Sequence, residues 1–108
     1  MSTFAVIREA GPAWIDGKGI YEQQAVEEHA QFMNVLADEG FVLFGGPLAG
    51  TETGRVRVLL AVAAETADEV QRRLEADPWA STGQLLVVNV EAWNVLVGQE
   101  RLSSFLNA

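Results

Sequence analysis

The chain holds a single histidine, His29, in the stretch EEHAQFM. Imidazole gives and takes a proton near neutral pH more readily than any other side chain, so His29 is the first candidate for acid–base chemistry. A neighbouring aspartate would hold the ring in one tautomer and stabilise the imidazolium formed on proton uptake, whereas burial alone would oppose that charge. Asp77, in the stretch ADPW, is the aspartate that the order of elements brings toward it. The pair reads as an acid/base dyad. Its other reading is a core histidine whose hydrogen bond to Asp77 closes the gap between two helix ends.

Further residues are candidates for the pocket around such a dyad. Arg8 and Arg55 suit an anionic substrate group through charge-assisted hydrogen bonds, although arginines near strand ends are commonly solvated or paired structurally. Trp14 and Tyr21 either line an aromatic pocket mouth or fasten a long loop onto the first helix. Gly45 and Gly46, in FGGPLAG, permit a bulge, a tight turn or a close approach of backbone to ligand. The stretch is not a phosphate loop, because no lysine follows and it joins strand to strand. Arg8, Trp14, Gly46, Pro47, Trp79 and Ser81 are the expected substrate-lining set.

Other chemistries find little support. There is no cysteine, which removes thiol catalysis, disulfides and cysteine-based metal sites and fits a reducing compartment such as the cytoplasm. One histidine with scattered carboxylates offers no HxH, HxxxH or EF-hand spacing, so no metal and no cofactor is expected. No Gly-x-Ser-x-Gly elbow is present, and no second histidine could serve a serine nucleophile.

The elements that must position these residues follow from hydrophobic period and turn signals. TFAVIRE (Thr3 to Glu9) is a first strand with Phe4, Val6 and Arg8 on one face. The Gly- and Pro-rich loop AGPAWIDGKG leads to a first helix, Tyr21 to Glu39, stopped by Gly40. At about 100° per residue, His29 lies within about 60° of Ala25, Val26, Phe32, Met33 and Leu36 and so faces inward. FVLFGG and RVRVLLAVAA are the second and third strands, joined by PLAGTETG. Thr66 and Glu69 have capping-box spacing at the start of a second helix that runs through Ala76 and ends at DPW. QLLVVNVEAWNVLVG is the fourth strand, and QERLSSFLNA is a tail. Residues 1–98 are read as one domain and 99–108 as an appended segment.

This βαββαβ order is the ferredoxin-like, α+β pattern: a four-stranded antiparallel sheet with two helices on one face. The start of the first helix and the end of the second then lie at the same end of the sheet. That end collects His29, Asp77, Arg8, Arg55, the Trp14 loop, the Gly45-Gly46-Pro47 turn and Ser81.

The strands also predict a partner. Val56, Val58, Leu60 and Val62 alternate with Leu59, Ala61 and Ala63, and Leu86, Val88, Val90 and Leu96 alternate with Leu85, Val87, Trp93 and Val97. Strands apolar on both faces need cover on both sides, and a second copy of the sheet would supply it, giving a face-to-face homodimer. Leu102, Phe105 and Leu106 give the tail near-helical apolar spacing, suited to a docking segment or to packing on its own dimer. A net charge of −8 disfavours nucleic acid and anionic lipid, and no apolar run approaches the roughly 20 residues of a membrane span.

Taken together, the histidine in the first helix, EGFVLFGGPL, TADEV with ADPW after it, and the closing VNVEAWNVL resemble the YciI-like (YCII-related) family over about Phe4 to Gly98. The resemblance implies a dimeric α+β barrel of ferredoxin-like type and a histidine–aspartate active site that carries over to His29 and Asp77. Some members of that family are linked to dehydrochlorination of aromatic substrates, and the fold is shared with small isomerases and cofactor-free monooxygenases. The expected function is a small cofactor-independent enzyme that abstracts a proton from a small cyclic or aromatic compound, leading to isomerisation or loss of HX. The alternative is a non-catalytic small-molecule-binding or dimer-interaction module.

Overall fold

The computed structural model of the chain describes residues 1–50 and 55–106. The elements run β1 (Ser2–Ala10), a 3-10 turn (Ile20–Glu22), α1 (Val26–Asp38), β2 (Val42–Pro47), β3 (Arg57–Ala64), α2 (Ala67–Glu75), α3 (Pro78–Ser81), β4 (Leu85–Ala92) and α4 (Gln99–Leu106). The sheet is antiparallel with strand order β2-β3-β1-β4, the ferredoxin-like arrangement. Thr51 to Gly54 of the expected connection, Asn107 and Ala108 of the tail, and the side chains of Phe105 and Leu106 lie outside the described residues.

One face of the sheet forms the main core. Phe4, Val6, Val42, Leu60 and Val62 pack beneath Leu36 of α1 and Val70 and Leu74 of α2. Each such side chain contributes roughly 1.5–3 kcal/mol by leaving water. Gly40 ends α1 in a Schellman arrangement, with φ of +81° and the amides of Gly40 and Phe41 donating to the carbonyls of Ala37 and Leu36. At α2, Thr66 accepts from the Glu69 amide, while the Glu69 carboxylate takes the Glu65 amide.

Several expected boundaries shift for local reasons. The first helix begins at Val26 rather than Tyr21, because the buried Gln23 side chain bonds the Ile15 amide and the carbonyls of Ile15 and Lys18, holding residues 15–23 as a closed loop. Ala25 then enters the helix with φ of 60°, a strained conformation for a residue with a Cβ. The preceding Gln24 carbonyl, bonded by Trp79 and Gln84, helps fix it. The fourth strand stops at Ala92, not Gly98. A bulge opposite Ile7 and Arg8 inserts one residue, so Val90 joins Val87 on the helix side and leaves the face shared with Leu86.

The other face of the sheet is partly covered by the tail of the same chain: Leu102 of α4 packs with Leu43, Ala61 and Ala63. Beside this cluster, Ile7 and Leu59 pair across β1 and β3, and Phe44 is 53% exposed.

Gly45 is dictated by this sheet. A Cβ there would lie 2.4 Å from Leu60 Cδ2 and 2.8 Å from the Leu59 carbonyl oxygen, whereas one at Gly46 would meet nothing within 4 Å. Gly45→Ala is therefore expected to destabilise by about 1–3 kcal/mol through overpacking, and Gly46→Ala to stay within about 0.5 kcal/mol. Denaturant melts of the two variants check the contrast.

Candidate active site

The end of α2 builds the site. Pro78 sits at the first position of α3, and Asp77 before it is the N-cap, its Oδ1 accepting from the Trp79 amide at 2.9 Å. This cap turns the carboxylate inward, where it is fully buried. His29, on the first turn of α1, places Nδ1 2.9 Å from Asp77 Oδ1 and 2.7 Å from Oδ2. An ionised carboxylate only accepts, so the Nδ1 facing it carries the hydrogen. Among the described residues Nε2 has no protein partner.

The ring is held from two more directions. His29 stacks on Trp79 with centroids 3.9 Å apart and planes 7° from parallel. Trp14 meets Trp79 edge-on at 5.7 Å, and the Trp79 indole N–H donates to the Gln24 carbonyl at 2.7 Å. The imidazole thus has its plane set by Trp79 and its in-plane rotation set by Asp77.

Arg8 completes the cluster from β1. Only 1% exposed, it donates from Nη1 to Asp77 Oδ2 at 2.7 Å and from Nη2 to the Leu85 carbonyl at 3.1 Å. Its Nε–H is buried with no hydrogen-bond partner among the described residues. Burial lowers the guanidinium from its ordinary value while Asp77 pushes it back, and an arginine starts so high that it stays charged at neutral pH.

Burial alone would raise the Asp77 carboxyl. Hydrogen bonds from His29 and the Trp79 amide, with the charge of Arg8, outweigh it and hold the carboxyl below the ordinary carboxylate value. A carboxyl lowered on folding stabilises the fold fully above its unfolded value of about 4 and loses that contribution as pH falls through the lower folded value. Acid unfolding should therefore steepen below about pH 4, and Asp77→Asn should flatten the pH dependence there. Urea melts between neutral and acidic pH check this.

Beside the dyad lies a cavity of about 210 Å³, lined by Arg8, His29, Met33 and Trp79, by Gly45, Gly46 and Pro47 of β2, and by Ile20, Val56, Val58, Leu60 and Leu85. Its wall is mostly apolar carbon, with the His29 ring and Arg8 as the ionisable groups among the described residues. No group of three or more His, Cys, Asp or Glu that could hold a metal ion occurs among the described residues.

Of the residues expected from sequence, His29, Asp77, Arg8, Trp79, Gly46 and Pro47 come together here. Four others do not line the cavity. Trp14 stands behind Trp79 as its support. Ser81 is turned out by α3, its hydroxyl donating to the Pro78 carbonyl at the surface. Tyr21 is 88% exposed, because the 3-10 turn presents Ile20 to the cavity instead. Arg55 bonds the Gly11 carbonyl and Asp16 outside the cavity. Sequence reasoning missed Ile20 and the full role of Arg8. A charge in phase with Phe4 and Val6 on an inward strand face was the available signal, since a buried charge requires a counter-charge.

No helix among the described residues is long and apolar enough to cross a membrane. No curated protein matches the chain. Among solved structures, the 5-chloro-2-hydroxyhydroquinone dehydrochlorinase of Burkholderia phenoliruptrix AC1100, in complex with 2,5-dihydroxybenzoquinone, is similar at 23% identity and a TM-score of 0.54, covering 91% of this chain and 97% of that one. That likeness extends the ferredoxin-like description to a protein of the same overall fold. The sequence profile of the YCII-related domain matches residues 4–94, from the first strand through the end of the fourth, so the chain belongs to the YCII-related domain family.

Proposed function

We propose that the protein is a small enzyme in which His29 exchanges a proton with a single-ring organic compound and Asp77 orients it. The observation that carries this reading is the unpartnered Nε2 of a doubly fixed imidazole beside a mostly apolar cavity. A base so placed needs no reorganisation when substrate binds, and the apolar wall excludes competing water. His29 Nε2 would take a proton from a ring C–H or O–H. The electron pair left behind either moves along the ring to be reprotonated elsewhere, an isomerisation, or expels a neighbouring halide, so that H⁺ and X⁻ leave together as HX.

Size narrows the substrate. An engineered cavity of about 150 Å³ binds benzene, so about 210 Å³ admits one six-membered ring with a few substituents. The structurally similar dehydrochlorinase acts on a compound of that class. Screening halogenated phenols, hydroxyquinones and cyclic ketones by thermal shift, then assaying the binders for halide release or isomer formation, tests the reading. A ligand that binds only the folded state raises its melting temperature. Single-ring binders that turn over support the proposal; binding restricted to other classes contradicts it.

We further propose that two copies pair through the open sheet face, as the exposed Phe44 and Leu86 beside Ile7 and Leu59 suggest. Sedimentation should give twice the chain mass, and a single-chain mass at every concentration would contradict it. The absence of cysteine supports a cytoplasmic location.

A further inference from the structure

The charges around the cavity are distributed unevenly. The chain carries a net charge of −8, yet among the described residues the cavity wall contains no aspartate or glutamate, only Arg8 and the ring of His29 as ionisable groups. The Asp77 carboxylate stands behind them with both oxygens occupied: Oδ1 by His29 and the Trp79 amide, Oδ2 by His29 and Arg8. A ligand in the cavity therefore meets the cationic front of a charge pair, not its anionic back. Arg8 also has a third donor, Nε–H, that no group among the described residues accepts. A guanidinium fixed in place and 1% exposed is only weakly screened by solvent, so its attraction for a charge in the cavity is far stronger than at the surface.

We infer that the cavity binds its ring compound as an oxyanion, the conjugate base of an acidic phenol or enol, held against Arg8 after its O–H proton has passed to His29 Nε2. This rests on the single-ring reading above and narrows it to acidic ring hydroxyls.

Charge balance permits this state. Without ligand, Arg8⁺ and Asp77⁻ cancel. When a ring acid transfers its proton, the O–H bond breaks, the electron pair stays on oxygen, and an N–H bond forms at Nε2. Arg8⁺, Asp77⁻, the imidazolium and the ring oxyanion then sum to zero in a low-dielectric site. A neutral ring that cannot ionise gains apolar burial alone. A dicarboxylate or phosphate would bring a second negative charge with nothing to meet it.

The ligand 4-nitrophenol tests the inference directly, because its ionised form absorbs visible light and its neutral form does not. Nitrobenzene is the matched ring without the acidic hydroxyl. At a pH just below the free phenol's own ionisation, adding wild-type protein should raise the visible absorbance, and nitrobenzene should bind at least tenfold more weakly. Arg8→Lys, which keeps a charge to face Asp77 but loses the guanidinium's other donors, should retain binding while weakening 4-nitrophenol several-fold more than nitrobenzene. Binding of 4-nitrophenol without visible absorbance, or equal affinity for nitrobenzene, would overturn the oxyanion inference and leave the single-ring pocket standing. Failure of both rings to bind would overturn the single-ring reading and this inference with it.

Discussion

Replacing Asp77 with alanine is expected to destabilise the fold by roughly 3–5 kcal/mol. The carboxylate is the counter-charge of Arg8, the anchor of the His29 ring and the N-cap of α3. Its removal strands a guanidinium that is 1% exposed, and breaking a buried pair from one side is costly because the remaining charge cannot reach water. Loss of the cap alone accounts for about 1 kcal/mol of this. Against a typical total of about 5–15 kcal/mol, such a loss would leave the variant near the edge of folding. Asp77→Asn separates the contributions, since asparagine can still cap α3 and accept from Arg8 while carrying no charge; its loss should be clearly smaller. Urea melts of both variants measure the difference. A change below about 1 kcal/mol for Asp77→Ala would mean that the cluster does not hold the site together.

His29→Asn should have the opposite profile. Positioned acid–base groups contribute roughly 10²–10⁴-fold to rate, and asparagine keeps size and hydrogen bonding without the basic nitrogen. Turnover of any substrate found by the ring-compound screen should fall by about that factor. The stability cost should be near 1 kcal/mol, mainly the stacking on Trp79. Affinity for a ring without an acidic hydroxyl should change little, because most of the cavity wall is contributed by other residues, whereas a ring acid, left without its proton acceptor, should bind more weakly. A variant that keeps its turnover would remove His29 from the chemistry, and one that mainly loses stability would favour the structural reading of the pair.

How far the site was legible in the sequence depended on which interactions set each residue. The His29–Asp77 meeting follows from element order, since a βαββαβ chain must bring the start of one helix and the end of the other to the same edge of the sheet. The side on which Ser81 falls does not follow, because it depends on a single turn of helix after Pro78 that rotates the hydroxyl back onto the Pro78 carbonyl. Val90 was assigned to the wrong face for a similar reason: one inserted residue at the bulge reverses every side chain beyond it, and hydrophobic alternation contains no marker for the insertion. The late start of α1 lay in the Gln23 amide, whose long-range bonds override a favourable helical pattern. Arg8 was the most readable of the misses, a charge set between apolar neighbours on an inward face.

The central claim is that Asp77 holds the hydrogen on His29 Nδ1 so that Nε2 can exchange a proton with a ligand in the cavity. With a single histidine in the chain, selective ¹⁵N labelling of histidine gives one pair of ring signals with no assignment problem. The account predicts a protonated Nδ1 and a bare Nε2 in the free protein at neutral pH, and protonation of Nε2 when 4-nitrophenol is added. A free protein with its hydrogen on Nε2, or an Nε2 that does not respond to the bound ring acid, would contradict it.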